Sequence, residues 1–157
     1  MNRQEMFMEK AIQLAKENVD TGHGGPFGAI VIKDGEVIGR GCNEVTASND
    51  PTAHAEVQAI REACQHLESF QLTGCEIYTS CEPCPMCIGA IYWARPDAVY
   101  YACTKEEAAA IGFDDQFIYE ELTLPIHERS IEMKKLPLDY RKAPFDSWAA
   151  STKKTTY

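Results

Sequence analysis

The most restrictive feature of this sequence is a pair of short segments whose side chains must meet in space. One is Pro51-Thr52-Ala53-His54-Ala55-Glu56; the other is Ser80-Cys81-Glu82-Pro83-Cys84-Pro85-Met86-Cys87. Cys84 and Cys87 stand three residues apart at the start of an expected helix, a spacing that puts both sulfurs on one face. The positive end of a helix favours thiolates, and two thiolates on one face are half of a tetrahedral zinc site. His54 opens the preceding expected helix. In a layered α/β fold both helices start at the same edge of the sheet, so His54 completes a three-ligand set. Structural zinc sites usually take four protein ligands, whereas catalytic ones take three and keep a position for water. Zinc lowers the pKa of such a water to about 7. Glu56 lies two residues beyond His54, so a regular helix points it elsewhere than at the metal. It has only to reach the water and a substrate, as general base and then general acid.

The rest of the chain predicts the frame around these segments. Phe7, Ala11, Leu14, Ala15 and Val19 recur at helical spacing over Gln4 to Val19, and Gly22, Gly24, Gly25 and Pro26 end that helix. Phe27 to Ile32 reads as a buried strand, Asp34-Gly35 as a hairpin turn and Glu36 to Arg40 as the returning strand. A polar stretch, Asn43 to Thr52, leads into a helix over His54 to His66. A strand over Cys75 to Thr79, a helix over Pro85 to Ala94 with proline at its first turn, a strand over Ala98 to Ala102 and a short helix over Lys105 to Ala110 follow. Ile131 to Leu136 reads as a further strand and Pro144 to Lys153 as a last helix. Alternating helices and strands with right-handed crossovers make that part of the sheet parallel. The expected fold is α/β, one domain over residues 1–157, a three-layer α/β/α sandwich on a mixed sheet of about five strands.

Composition narrows the partners. The formal net charge is −9, against the positive surface that gripping a phosphate backbone requires, so a small neutral substrate fits better than a polynucleotide. No apolar run is long enough for a membrane span, and the first residues lack the apolar core of a secretory signal, so the expected compartment is the cytoplasm. The seven cysteines are odd in number, which argues against a disulfide framework. Cys42, Cys64, Cys75 and Cys103 read as small buried hydrophobes.

The pair H-x-E and P-C-x-x-C is the signature of zinc deaminases of nucleobases, and the chain resembles the cytidine deaminase-like superfamily. Within it, Gly24 to Ala29, Ser48 to Glu56, Cys81 to Arg95 and Gly112-Phe113-Asp114-Asp115 are similar to the bacterial guanine deaminases. The resemblance covers nearly the whole chain. It implies one zinc per subunit on His54, Cys84 and Cys87, with Glu56 carrying protons and Cys81 left out of the ligand set. It implies a purine held by Asn43 and by the backbone amide of Ala55, packed on by Phe27 and Trp93, and read at its amino-bearing edge by Asp115. It also implies a C-terminal tyrosine, here Tyr157, closing over a pocket, and a homodimer that can exchange the segment from about 137 to 157. The implied reaction is guanine plus water to xanthine plus ammonia. An acceptor-only carboxylate complements the paired N1–H and amino donors of guanine, and adenine presents no such pair.

Plainer readings stand beside these. Two cysteines and a histidine also suit a structural zinc module, with Cys81 or a carboxylate as fourth ligand. Phe27 and Trp93 also read as core aromatics, Asn43 as a turn residue, Asp114 and Asp115 as a solvated loop, and Tyr157 as a frayed terminus. His23, His66 and His127 have no motif partner and read as surface groups. Rival substrates for the same zinc signature are a tRNA adenosine, disfavoured by the acidic charge, and cytosine or cytidine, which need a smaller pocket.

Overall fold

Asp34 and Gly35 both adopt positive φ, 50° and 82°, as a two-residue hairpin turn of the type that matches strand twist requires. They join β1 (Gly28–Lys33) to β2 (Glu36–Cys42) in antiparallel register, closed by the Lys33–Glu36 pair. The computed structural model describes residues 1–157. The remaining strands are β3 (Cys75–Cys81) and β4 (Ala98–Cys103), and the sheet order is β2-β1-β3-β4. β1 is antiparallel to β3, and β3 is parallel to β4 as the alternating pattern implies.

Side-chain alternation along β1 explains why it reads as one apolar run. Ile30 and Ile32 face Phe7 and Ala11 of α1 (Arg3–Asp20), together with Tyr78. Ala29 and Val31 face the opposite cluster, built from Ala55, Ala59 and Ala63 of α3 (Ala55–Leu67) and from Ile91 and Ala94 of α4 (Pro85–Ala94). The result is the expected three layers, α1 over one face and α3 with α4 over the other. A capping box starts α1, in which the Asn2 side chain accepts from Glu5 N–H at 2.8 Å and Glu5 accepts from Asn2 N–H at 2.9 Å. A one-turn helix, α2 (Val45–Ser48), interrupts the polar stretch before α3, and α5 (Lys105–Ala110) follows β4.

The chain divides into two compact units, Met1–Asp115 and Gln116–Tyr157. The second holds α6 (Gln116–Thr123), a single 3₁₀ turn (Ile126–Glu128) and α7 (Ala143–Ala150). The expected fifth strand is not there: the sheet has four strands, and Ile131 to Leu136 has no regular structure. Its apolar side chains Ile131, Met133 and Leu136 are all exposed. An alternating pattern becomes a strand only where one face is covered and a neighbour pairs with it.

Two glycines set how closely α3 approaches the sheet. A β-carbon on Gly39 would stand 2.5 Å from the Ala59 carbonyl oxygen, and one on Gly41 would run into the Ala55 carbonyl oxygen. With alanines at 55, 59 and 63 on the facing helix, backbone packs almost directly on backbone. A Gly41→Ala variant is therefore expected to lose about 1–3 kcal/mol of stability, the usual cost of overpacking. Urea denaturation measures this as a lower midpoint at unchanged slope; a midpoint equal to wild type would mean the helix retreats freely.

Candidate active site

Two helix N-termini converge on one point. His54 is the N-cap residue of α3 and Cys84 that of α4, both in extended conformation, and neither side chain caps its own helix. Both side chains turn toward each other instead. His54 Nδ1 lies 3.5 Å from Cys84 Sγ and 3.5 Å from Cys87 Sγ. Zinc bond lengths to nitrogen and sulfur at tetrahedral angles put such ligand atoms about 3.5 Å apart, so this donor set fits a zinc ion. The three ligand atoms form one group within 4.8 Å. Cys81 is not part of it: its sulfur is directed to the Thr104 carbonyl at 3.7 Å.

Glu56 is only 6% exposed and sits one residue into α3 beyond the helix start. Thr79 Oγ1, in the second half of β3, lies 3.3 Å from Glu56 Oε1 and 3.1 Å from the Cys81 carbonyl, which fixes the carboxyl against the strand. Burial pushes the Glu56 carboxyl above the usual carboxylate range. The two sulfurs behave as a pair. The Cys87 thiol beside it is the main cause that holds the Cys84 thiol down, to about 4, and Cys87 in turn is pushed up chiefly by Cys84. The hydrogen bond to Cys84 raises His54. A divalent cation is the natural means of balancing two sulfurs and a carboxylate in so little space.

The other expected site residues are distributed unevenly. Ala55 is fully buried at the first position of α3, where a backbone N–H has no partner within the helix. Asn43 is buried just past β2; its Oδ1 accepts from Val45 N–H at 3.2 Å, and its own backbone N–H donates to the Phe27 carbonyl at 3.2 Å. Phe27 packs edge-on against Phe113, ring centres 5.0 Å apart. Asp115 is half-buried; desolvation, and then the nearby Cys84, raise its carboxyl. Trp93 is 62% exposed on α4, whose buried side carries Cys87, Ile91 and Ala94. Tyr157 is exposed and belongs to the second unit.

Three residues that matter here have no role assigned to them by the motifs. Thr79 positions Glu56. Phe113 supports Phe27. Asn18, buried on α1, donates to the carbonyls of Gly25 at 2.8 Å and Asn43 at 2.9 Å, tying the loop before Phe27 to the end of β2. Asn18 was findable: it continues the buried stripe Phe7, Ala11, Ala15 at helical spacing, where a polar residue demands partners.

Residues 1–103 match the family model described as the cytidine and deoxycytidylate deaminase zinc-binding region. The chain is 54% identical over 153 residues to the guanine deaminase of Bacillus subtilis, covering 98% of each chain. The X-ray structure of that protein superposes with a TM-score of 0.97, covering 100% of this chain and 99% of the other. The chain is also 39% identical over 136 residues to the tRNA-specific adenosine deaminase of Aquifex aeolicus, covering 86% of each. No helix is long and apolar enough to cross a membrane.

The ligand set makes a discriminating pair of variants. After exhaustive dialysis, Cys84→Ser is expected to retain little zinc by elemental analysis, whereas Cys81→Ser retains as much as the parent. Equal loss in both would restore Cys81 as a ligand.

Proposed function

The chain belongs to the cytidine and deoxycytidylate deaminase family, and from that footing we propose that it hydrolyses guanine to xanthine and ammonia. The observation that carries the reading is a buried carboxyl, Glu56, beside a ligand set of one nitrogen and two sulfurs with no fourth side chain in it. A structural zinc site would have used a fourth side chain and would have no use for such a carboxyl.

We assign one zinc per subunit to His54 Nδ1, Cys84 Sγ and Cys87 Sγ. Bound there, zinc would make hydroxide available near neutral pH by lowering the pKa of its water to about 7. Glu56 is the proton carrier. It takes a proton from the attacking water and passes it to the ring nitrogen beside C2, then takes the proton of the new C2 hydroxyl and delivers it to the departing amino nitrogen, so that the C2–N bond breaks with loss of neutral ammonia. Burial favours its protonated form, while a neighbouring cation favours the charged one, and a group held between those pulls exchanges a proton readily in both directions.

Recognition is assigned to the rim. Asp115 accepts from N1–H and the amino group, the free Ala55 N–H donates to the base, and the Asn43 amide, its oxygen engaged by Val45, offers its NH₂ to a ring acceptor. Phe27 covers a face of the ring. Trp93 and Tyr157 are assigned to the pocket wall on resemblance alone, as is the homodimer with exchange of the C-terminal segment. Seven free cysteines agree with a reducing, cytoplasmic setting. The likeness to a tRNA-specific adenosine deaminase favours a second reading, but a net charge of −9 weighs against a polyanionic substrate.

Ammonia release from guanine, adenine, cytosine, their nucleosides and a tRNA separates these readings. Guanine is expected to react far faster than the others; failure with guanine, or preference for the tRNA, would overturn the proposal. Glu56→Ala should keep its zinc and lose about 10²–10⁴-fold or more in kcat. Asp115→Asn should keep zinc and lose about 10- to 100-fold in kcat/KM for guanine, the worth of a charge-assisted hydrogen bond. Undiminished kcat/KM in Asp115→Asn would remove Asp115 from the recognition of the base.

A further inference from the structure

A second group of ligating side chains lies in the first unit, apart from those used above. His23, Cys42 and Glu44 bring a ring nitrogen, a sulfur and a carboxylate oxygen within 4.8 Å of one another. They come from two places in the chain: His23 from the loop after α1, Cys42 from the last residue of β2, and Glu44 from just beyond it. His23 Nε2 stands 3.4 Å from Glu44 Oε1.

The supporting contacts are those of a prepared site. The other oxygen of Glu44, Oε2, accepts from Gln58 Nε2 at 2.6 Å, and the Glu44 backbone N–H donates to the Ala53 carbonyl at 2.9 Å. The carboxylate is thus fixed with Oε1 toward His23, as outer partners fix the ligating carboxylates of metal centres. His23 is held through its own N–H, which donates to the Asn18 carbonyl at 3.0 Å. The Asn18 side chain in turn donates to the Gly25 and Asn43 carbonyls, so loop and strand end are already joined through it.

We propose that His23, Cys42 and Glu44 form a second divalent-metal site, suited to borderline transition ions such as zinc or cobalt. A mixed nitrogen, sulfur and oxygen set excludes magnesium and calcium, which take oxygen ligands almost alone. Cys42 and Glu44 are half-buried and His23 is exposed, so water completes the coordination shell. An ion there cross-links the loop leading to Phe27 with the strand end leading to Asn43. The site therefore acts as a clamp on two residues at the rim of the catalytic centre, and it stands whether or not guanine is the substrate. A plain ion pair between His23 and Glu44 would leave Cys42 without a part.

Cobalt(II) is the probe, added to enzyme whose first site is already filled with zinc. Equilibrium dialysis should show one further equivalent per chain, with thiolate-to-cobalt absorption in the near ultraviolet and no zinc released. His23→Ala and Cys42→Ser should each lose that equivalent and that absorption while keeping the first zinc and the turnover measured without added metal. A wild-type chain that takes up no second equivalent overturns the proposal. So does equal uptake by both variants, which would locate the ion elsewhere, and so does zinc release in step with cobalt uptake, which would mark exchange in the first site.

Discussion

The closeness of α3 to the sheet governs everything at the catalytic end of this molecule. Glycines at 39 and 41 and alanines at 55, 59 and 63 let helix backbone lie on strand backbone. Side chains of ordinary size would hold the helix farther off. At that greater distance His54 could not reach two sulfurs that belong to a different helix. The same packing sets the depth of Glu56, one residue into α3, against Thr79 on β3. The ligand geometry is thus a property of how two layers pack, and the ligating residues inherit it.

Electrostatics explains why such packing needs a cation. The site gathers two coupled sulfurs, one held down and the other pushed up, a buried carboxyl and, nearby, Asp115. Each negative group raises the proton affinity of the others. The N-termini of α3 and α4 offset part of this with their dipoles and uncapped N–H groups. A divalent ion offsets the rest and ties the two helices together, so its binding energy is also folding energy.

Much of this was legible in the sequence because it depends on local periodicity. The hairpin followed from Asp34-Gly35, the three layers from the alternation of helices and strands, and the meeting of His54, Cys84 and Cys87 from spacing at two helix starts. What stayed hidden depends on which surfaces meet. Ile131 to Leu136 carries apolar residues at strand-like spacing in its first half, yet nothing in its own residues says whether a fourth strand will offer it an edge. His23 is a surface histidine as expected, but its neighbours Cys42 and Glu44 lie about twenty residues away in the chain, and only the sheet and the Asn18 hydrogen bonds bring the three together. Phe113 and Thr79 are ordinary residues whose use comes from a neighbour reached through the fold.

The metal constellation alone does not choose a substrate, since relatives with different named substrates match this chain over most of its length. Discrimination must come from groups around the metal, and these are not equivalent in cost. A half-buried carboxylate such as Asp115, raised by desolvation, is costly to keep charged unless donors face it. A base with two adjacent N–H donors meets that requirement, whereas one with a lone ring acceptor at the same place leaves the carboxylate unpaired. The acidic balance of the whole chain adds a longer-range preference, because each phosphate of a polynucleotide would approach a field of its own sign. With Asp115 facing the base as proposed, both effects, one at contact and one at a distance, select for a small neutral heterocycle rich in donors along one edge.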